Sequence, residues 1–217
     1  MNSMAKSFAI NLLAAAVVLG GALAVAGFAD PASSATNIPT KEGTVKIEGT
    51  ATIYGNWACK GQASVTATPG NALEPVPGFP GGVKKTVVKV VVHDIECGDG
   101  TMNKHLRKAL KEKDNPTIKF ETDKYTLLNK GGAVKAFGEL SIAGVPRPVE
   151  LDANLTALPE GGVRVVGQVG IQMKDYRVKP PSLLFGTLKV ANDVTVSFDT
   201  EIVPPVDLQQ SAALEVQ

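Results

Sequence analysis

The chain is poor in the residues that build reactive centres. Its 217 residues hold two cysteines, two histidines and one tryptophan. A tetrahedral zinc site needs three or four ligands converging at about 2 Å. The spacings that usually deliver them, C-x-x-C and H-E-x-x-H, are missing, and so is the G-x-S-x-G of a strand-borne nucleophile. No sign of charge dominates: 22 Lys and Arg stand against 21 Asp and Glu, for a net charge of +1. There is thus no basic stripe for nucleic acid and no acidic tail for a basic partner. Beyond the N-terminus, no apolar run is long enough to span a membrane.

What is present points to strands. Hydrophobic residues make up 44% and charged residues 20%, enough for a buried core. The 22 glycines and 14 prolines, with many valines and threonines, favour short strands and turns over helices. From Thr44 onward the apolar residues recur with period two, as half-buried strands require. "TVKIEGTATIYG" places Val45, Ile47, Ala51 and Ile53 on one face, and "ASVTAT" does the same with Ala63, Val65 and Ala67. "VKKTVVKVVVHDIEC", "TIKFETDKYTLL", "AVKAFGELSIAG", "RPVELDANLTAL", "GVRVVGQVGIQM" and "DVTVSFDTEIV" continue the pattern, and "PGNALEPVPGFPGG" reads as a loop. Turn signals at hairpin spacing join these segments. One segment departs from the period. In "TMNKHLRKALKEKDNP", Met102, Leu106, Ala109 and Leu110 share a helical face, Asp99 or Thr101 can cap the start, and Asn115–Pro116 ends it. The predicted fold is all-β, an antiparallel meander of about eight strands with one amphipathic helix. Such a meander packs as a sandwich or closes into a barrel.

The N-terminus is a separate object. "MNSMAK" precedes an apolar run from Ile10 to Gly27, and small residues follow. This is the layout of a secretory signal peptide over residues 1–29, with cleavage between 26 and 35; the alternative is an uncleaved membrane anchor. No cysteine lies near the cleavage region, which argues against a lipoprotein. Residues 30–42 read as a flexible leader, 43–203 as the strand domain and 204–217 as a tail. Export to an oxidising compartment changes the reading of Cys59 and Cys97, which become a disulfide rather than two unpaired buried thiols. They are 38 positions apart, and closing that loop stabilises a fold by about 4 kcal/mol on the chain-entropy model.

Three polar stretches are candidates for chemistry. "HDIECGDGTMNKHLRKAL" gathers both histidines, Cys97, Asp94, Glu96 and Asp99. Strand alternation puts His93, Ile95 and Cys97 on one face and Asp94 and Glu96 on the other, which splits the cluster across the sheet. It therefore reads as a strand end, a disulfide anchor and a helix cap. "MKDYRVK" sets Asp175, Tyr176 and Arg177 in a row, either a solvated turn or a polar mouth. "SLLF" at residues 182–185 follows two prolines without alternation, as core or as a flap. A catalytic reading would have only Asp175, Tyr176 and His93 to draw on.

The order and wording of these segments resemble the YceI-like family. The resemblance rests on "MNKHLRKALKEKDNPTIKFE", on "GELSIAGVPRPVELDANL", and on "VGIQMKDYRVKPPSLLFGTLKVANDVTVSFDTEI", with "GTATIYGNWACKG" and "DIECGDG" resembling a subgroup. It implies a lipocalin-like antiparallel β-barrel, exported to the bacterial periplasm or exterior. It implies a non-catalytic protein that holds a polyisoprenoid, such as a prenyl quinone or prenyl phosphate, and has no other cofactor. The helix lead "CGDGTMNKHLR" lacks the arginine–aspartate pairing common in other members. Family members can pair as homodimers, and a lipid cargo implies transient contact with a membrane. The expected lining is Phe120, Leu140, Ile142, Leu151, Ile171, Met173 and Phe198, with Leu184 and Phe185 over the mouth. The alternative is a barrel filled by its own side chains, serving as a structural or interaction module of the cell envelope.

Overall fold

The computed structural model describes residues 42–53, 55–70, 75–79, 81–129, 132–159, 161–183 and 187–203. These hold nine strands: β1 (Gly43–Ala51), β2 (Gly55–Pro69), β3 (Val83–Val91), β4 (Thr117–Leu127), β5 (Ala133–Ile142), β6 (Val145–Ala157), β7 (Val163–Gln172), β8 (Ser182–Leu183) and β9 (Leu188–Ile202). One helix, α1 (Gly100–Ala109), lies between β3 and β4, and 3₁₀ turns cover Val92–Asp94 and Met173–Tyr176. The expected signal peptide, almost all of the leader, and the tail lie outside the described residues.

Eight of the strands form a closed antiparallel barrel in the order β1-β2-β3-β4-β5-β6-β7-β9, and β1 pairs with β9 to complete the ring. Thr44 faces Asp199 across that closing seam and Gly49 faces Val194. The two-residue β8 pairs only with the first residues of β9, Ser182 opposite Lys189 and Leu183 opposite Leu188. Among the described residues, closure leaves no long sheet edge open to another chain. Along β7 the alternation is plain: Val163, Val165, Val169 and Ile171 turn inward while Arg164, Gln168 and Gln172 stay in solvent.

Antiparallel succession sorts the connections into two poles. The helix pole carries the β1–β2 turn, α1, the Ala143–Gly144 corner and the Met173–Tyr176 turn. The loop pole carries the β2–β3 loop, the β4–β5 and β6–β7 turns, the start of β1 and the end of β9. Both poles are closed by apolar side chains. At the helix pole Val92, Ile95, Leu110, Ala143, Tyr176 and Val178 join the main core, with Leu106 and Ala109 of α1 against it. At the loop pole Val76 and Phe79 pack with Val65, Ala67, Val163 and Ile202.

Three details differ from the sequence reading. The long segment ending in "HDIEC" is interrupted: β3 stops at Val91, a 3₁₀ turn intervenes, and Glu96 then resumes pairing with Lys60 through two backbone bonds of 2.8 Å. His93 is therefore exposed while Ile95 is fully buried, so they do not share a face. In α1, Met102 is exposed and Asn103 is buried instead. The Asn103 Oδ1 accepts from the Cys97 amide at 2.7 Å and its Nδ2 donates to the Glu96 carboxylate, so hydrogen bonding outweighs the apolar period there. The helix also ends at Ala109, ahead of Asn115–Pro116, because Lys111 turns left-handed at φ 53°. Ile53, expected on the apolar face of the first strand, sits exposed in the turn after β1.

The β2–β3 loop is more than a connection. Val76 and Phe79 bond to each other through both backbone amides and are buried. Gly78 between them has φ 78°, and a Cβ there would lie 1.8 Å from the Gly162 carbonyl oxygen. Only glycine lets the loop come this close to the β6–β7 turn.

Candidate functional site

The barrel encloses an apolar cavity of about 280 Å³. Inward positions of all eight barrel strands line it, with Val76 at the loop pole and Leu106, Met173, Tyr176 and Val178 at the helix pole. Seven of the residues expected from the sequence, Phe120, Leu140, Ile142, Leu151, Ile171, Met173 and Phe198, lie on this wall. The other two, Leu184 and Phe185, fall outside the described residues.

The cavity exists because its aromatic rings lie against the wall rather than across the lumen. Three of them occupy space that a neighbouring glycine leaves free. A Cβ on Gly49 would sit 2.5 Å from the indole of Trp57, its partner across the β1–β2 ladder. A Cβ on Gly138 would meet the Phe120 ring at 2.6 Å, and one on Gly167 would meet the Phe198 ring at 2.5 Å. The interior of an eight-stranded barrel is just wide enough to be filled by side chains or to hold one small ligand. Here three glycines let three large rings lie flat.

Electrostatically the cavity is bare. Among the described residues that line it there is no Lys, Arg, His, Asp or Glu. Its polar groups are threonine hydroxyls, the Trp57 indole and the tyrosines. Tyr176 is buried, and burial pushes its phenol above the ordinary tyrosine value; Asp175 adds to the rise and Arg147 opposes it. The phenol is therefore neutral at physiological pH. The charged residues pair on the outside: Arg164 with Asp199 at 2.5 Å, and Lys135 with Glu150 at 3.2 Å and Asp152 at 3.1 Å. These pairs hold the Asp199 carboxyl below, and the Lys135 ammonium above, their usual values.

The polar stretches singled out in the sequence do not meet in a cleft. Cys59 and Cys97 form a disulfide. Around it, the His93 Nδ1 pairs with Glu112 at 2.8 Å, and Arg107 donates to the His93 carbonyl at 2.6 Å and reaches Glu96 at 3.3 Å. Asp99 caps α1, accepting from the amides of Thr101 at 2.6 Å and Met102 at 3.0 Å. The cluster is a clamp that fastens α1 to β2. Among the described residues no three His, Cys, Asp or Glu side chains gather as metal ligands. Tyr176 turns into the cavity, while Asp175 and Arg177 remain exposed. Trp57 was visible in the sequence only as part of a subgroup motif. Its parity with Ala63, Val65 and Ala67 along the same strand is the signal that would have placed it inside.

The architecture matches solved proteins of low sequence identity. BcnA of Burkholderia cenocepacia superposes with a TM-score of 0.60 at 14% identity, over 75% of this chain and 96% of that one. A polyisoprenoid binding domain from Saccharophagus degradans gives 0.58 at 10%, over 77% of this chain and 98% of that domain. The YCEI protein of Campylobacter jejuni gives 0.50 at 20%, over 63% and 79%. None of the curated proteins matches this chain. The family model of the YceI-like domain matches residues 28–202, which takes in every strand and the helix described above. The chain belongs to the YceI-like family.

Proposed function

We propose that this protein is an exported, non-catalytic lipid-binding protein that holds a polyisoprenoid or similar long apolar chain in its barrel. The observation that carries the reading is the uncharged cavity of about 280 Å³ at the centre of the fold. Burying each methylene contributes about 0.8 kcal/mol, so a chain binds by shape and apolar lining without a catalytic or charged group. The volume lies just under the roughly 300–1,000 Å³ of pockets that enclose drug-sized ligands. A long chain would fill it and extend toward one pole. Phe120, Leu140, Ile142, Leu151, Ile171, Met173 and Phe198 are the proposed contacts. The disulfide fits an oxidising compartment, and a periplasmic or secreted location after removal of a signal peptide is part of the proposal. Among the described residues no helix is long and apolar enough to cross a membrane. Transient membrane contact and homodimer pairing follow only from the lipid cargo and the family.

The small volume also favours a second reading, in which the barrel serves as an envelope interaction module without cargo. Native and denaturing mass spectrometry separates the two. Protein would be purified from its native exported fraction without detergent, and lipid extracted and identified. A stoichiometric prenyl lipid supports the carrier. Protein that stays empty after incubation with prenyl quinones supports the module. The N-terminal mass fixes the cleavage site in the same experiment.

A further inference from the structure

We propose that the cavity selects an uncharged ligand carrying a hydrogen-bond-accepting oxygen, and that the Trp57 Nε1–H binds this oxygen at the helix pole of the barrel. The inference rests on the lipid-binding reading above and specifies the head of the ligand.

Three buried side-chain polar atoms have no hydrogen-bond partner among the described residues: Trp57 Nε1, Thr200 Oγ1 and Arg107 Nε. Arg107 belongs to the clamp beneath α1, where its Nη2 donates to the His93 carbonyl and to Glu96. Trp57 and Thr200 both line the cavity. A buried donor without an acceptor destabilises a fold, so such groups generally have a function or a partner. The two differ in what they can do. A threonine hydroxyl both donates and accepts and can rotate, whereas an indole N–H only donates, in one fixed direction. Gly49 leaves room for the ring to lie along the wall, so the N–H runs in the plane of the wall and an acceptor must approach the edge of the ring rather than its face. An acceptor on a ligand that displaces the atoms covering Nε1 satisfies it.

The bare wall sets the other half of the specificity. With no cationic side chain among the described lining residues, a phosphate drawn inside would be buried without a counter-charge, which is severely unfavourable. A quinone carbonyl, an ester or an alcohol oxygen suffers no such penalty. Trp57 lies near the start of β2 and Thr200 near the end of β9, at opposite poles. The oxygen-bearing head therefore lies at the helix pole, and the chain points toward the loop pole.

The test uses three probes of one chain length: a prenyl quinone, the corresponding prenyl hydrocarbon, and the prenyl monophosphate. Competition is read by native mass spectrometry on the full mature chain, for wild type, Trp57→Phe and Thr200→Val. Wild type is expected to bind the quinone roughly 3- to 10-fold tighter than the hydrocarbon, the worth of one hydrogen bond, and the monophosphate weakest. Trp57→Phe should abolish the preference for quinone over hydrocarbon, and Thr200→Val should keep it. If Trp57→Phe does not fold, the infrared carbonyl stretch of quinone bound to wild type carries the test. A downshift from its value in hydrocarbon solvent is expected, and an unshifted band overturns the inference. Equal binding of quinone and hydrocarbon, tightest binding of the phosphate, or a preference that survives Trp57→Phe also overturns it, while the lipid-binding reading stands. If none of the three probes binds wild type, the lipid-binding reading fails and this inference with it.

Discussion

Single residues decide whether the barrel is hollow. At Gly49 the nearest atoms an added methyl would meet all belong to the Trp57 indole, so the ring rather than the backbone must yield. Gly49→Ala is expected to push the indole into the lumen at a cost of about 1–3 kcal/mol. Trp57 is the only tryptophan, so its emission reports the move directly. A changed emission maximum with reduced lipid uptake and an unchanged strand spectrum is the expected result. A second residue-scale prediction concerns Asp99. The amide of Met102, and then that of Thr101, holds its carboxyl below the ordinary value of 3.8. A depressed folded value means that the cap's contribution is fully present above about pH 3.8. It is lost as the pH falls through the folded value. Asp99→Asn retains a capping oxygen but cannot ionise. The Thr101 and Met102 amide proton shifts should therefore titrate in acid in the wild type and lose that cap-linked step in the variant.

At the scale of elements, the strands were legible because period two is strong wherever one face is buried, and the hairpin turns carry glycine and proline. The helix was legible as an element but not in its detail. Asn103 replaced Met102 on the buried side because satisfying the Cys97 amide and the Glu96 carboxylate matters more than burying one thioether. The 3₁₀ interruption after β3 was not legible, since "VVHDIEC" alternates as a continuous strand would. The apolar lining could be read from parity, but the hollowness could not. It depends on glycines directly or diagonally across from aromatics on ladders whose register only the fold specifies. The β2–β3 loop was likewise illegible as a stopper, because two apolar residues among turn formers carry no period. Its removal is a test at this scale. Phe79→Ala is expected to destabilise the protein by about 3–5 kcal/mol, as truncation of a buried aromatic generally does. It should also speed exchange of bound lipid, measured by the release rate of a preloaded quinone. A loss of stability with no change in release rate would mean that lipid passes by the helix pole.

For the whole molecule, the closed ladder and the one disulfide set how it opens. The Cys59–Cys97 bond spans 38 positions and ties the crossover that carries α1 to the barrel wall. Replacing both cysteines with alanine should lower the unfolding free energy by about 4 kcal/mol on the loop-entropy model. Because the bond fastens one pole only, hydrogen exchange should quicken first in residues 92–116 and last in β5–β7. The closing seam between β1 and β9 has one further consequence. Gly43 opens β1 where β9 ends at Ile202, so the chain enters and leaves the barrel at the same pole, beside the Gly78–Gly162 contact. A tether or fusion partner joined directly before Gly43 or after Ile202 would therefore attach at that pole. On a surface coated through such a tether, every copy would stand the same way up, with the pole that carries α1 outermost and accessible.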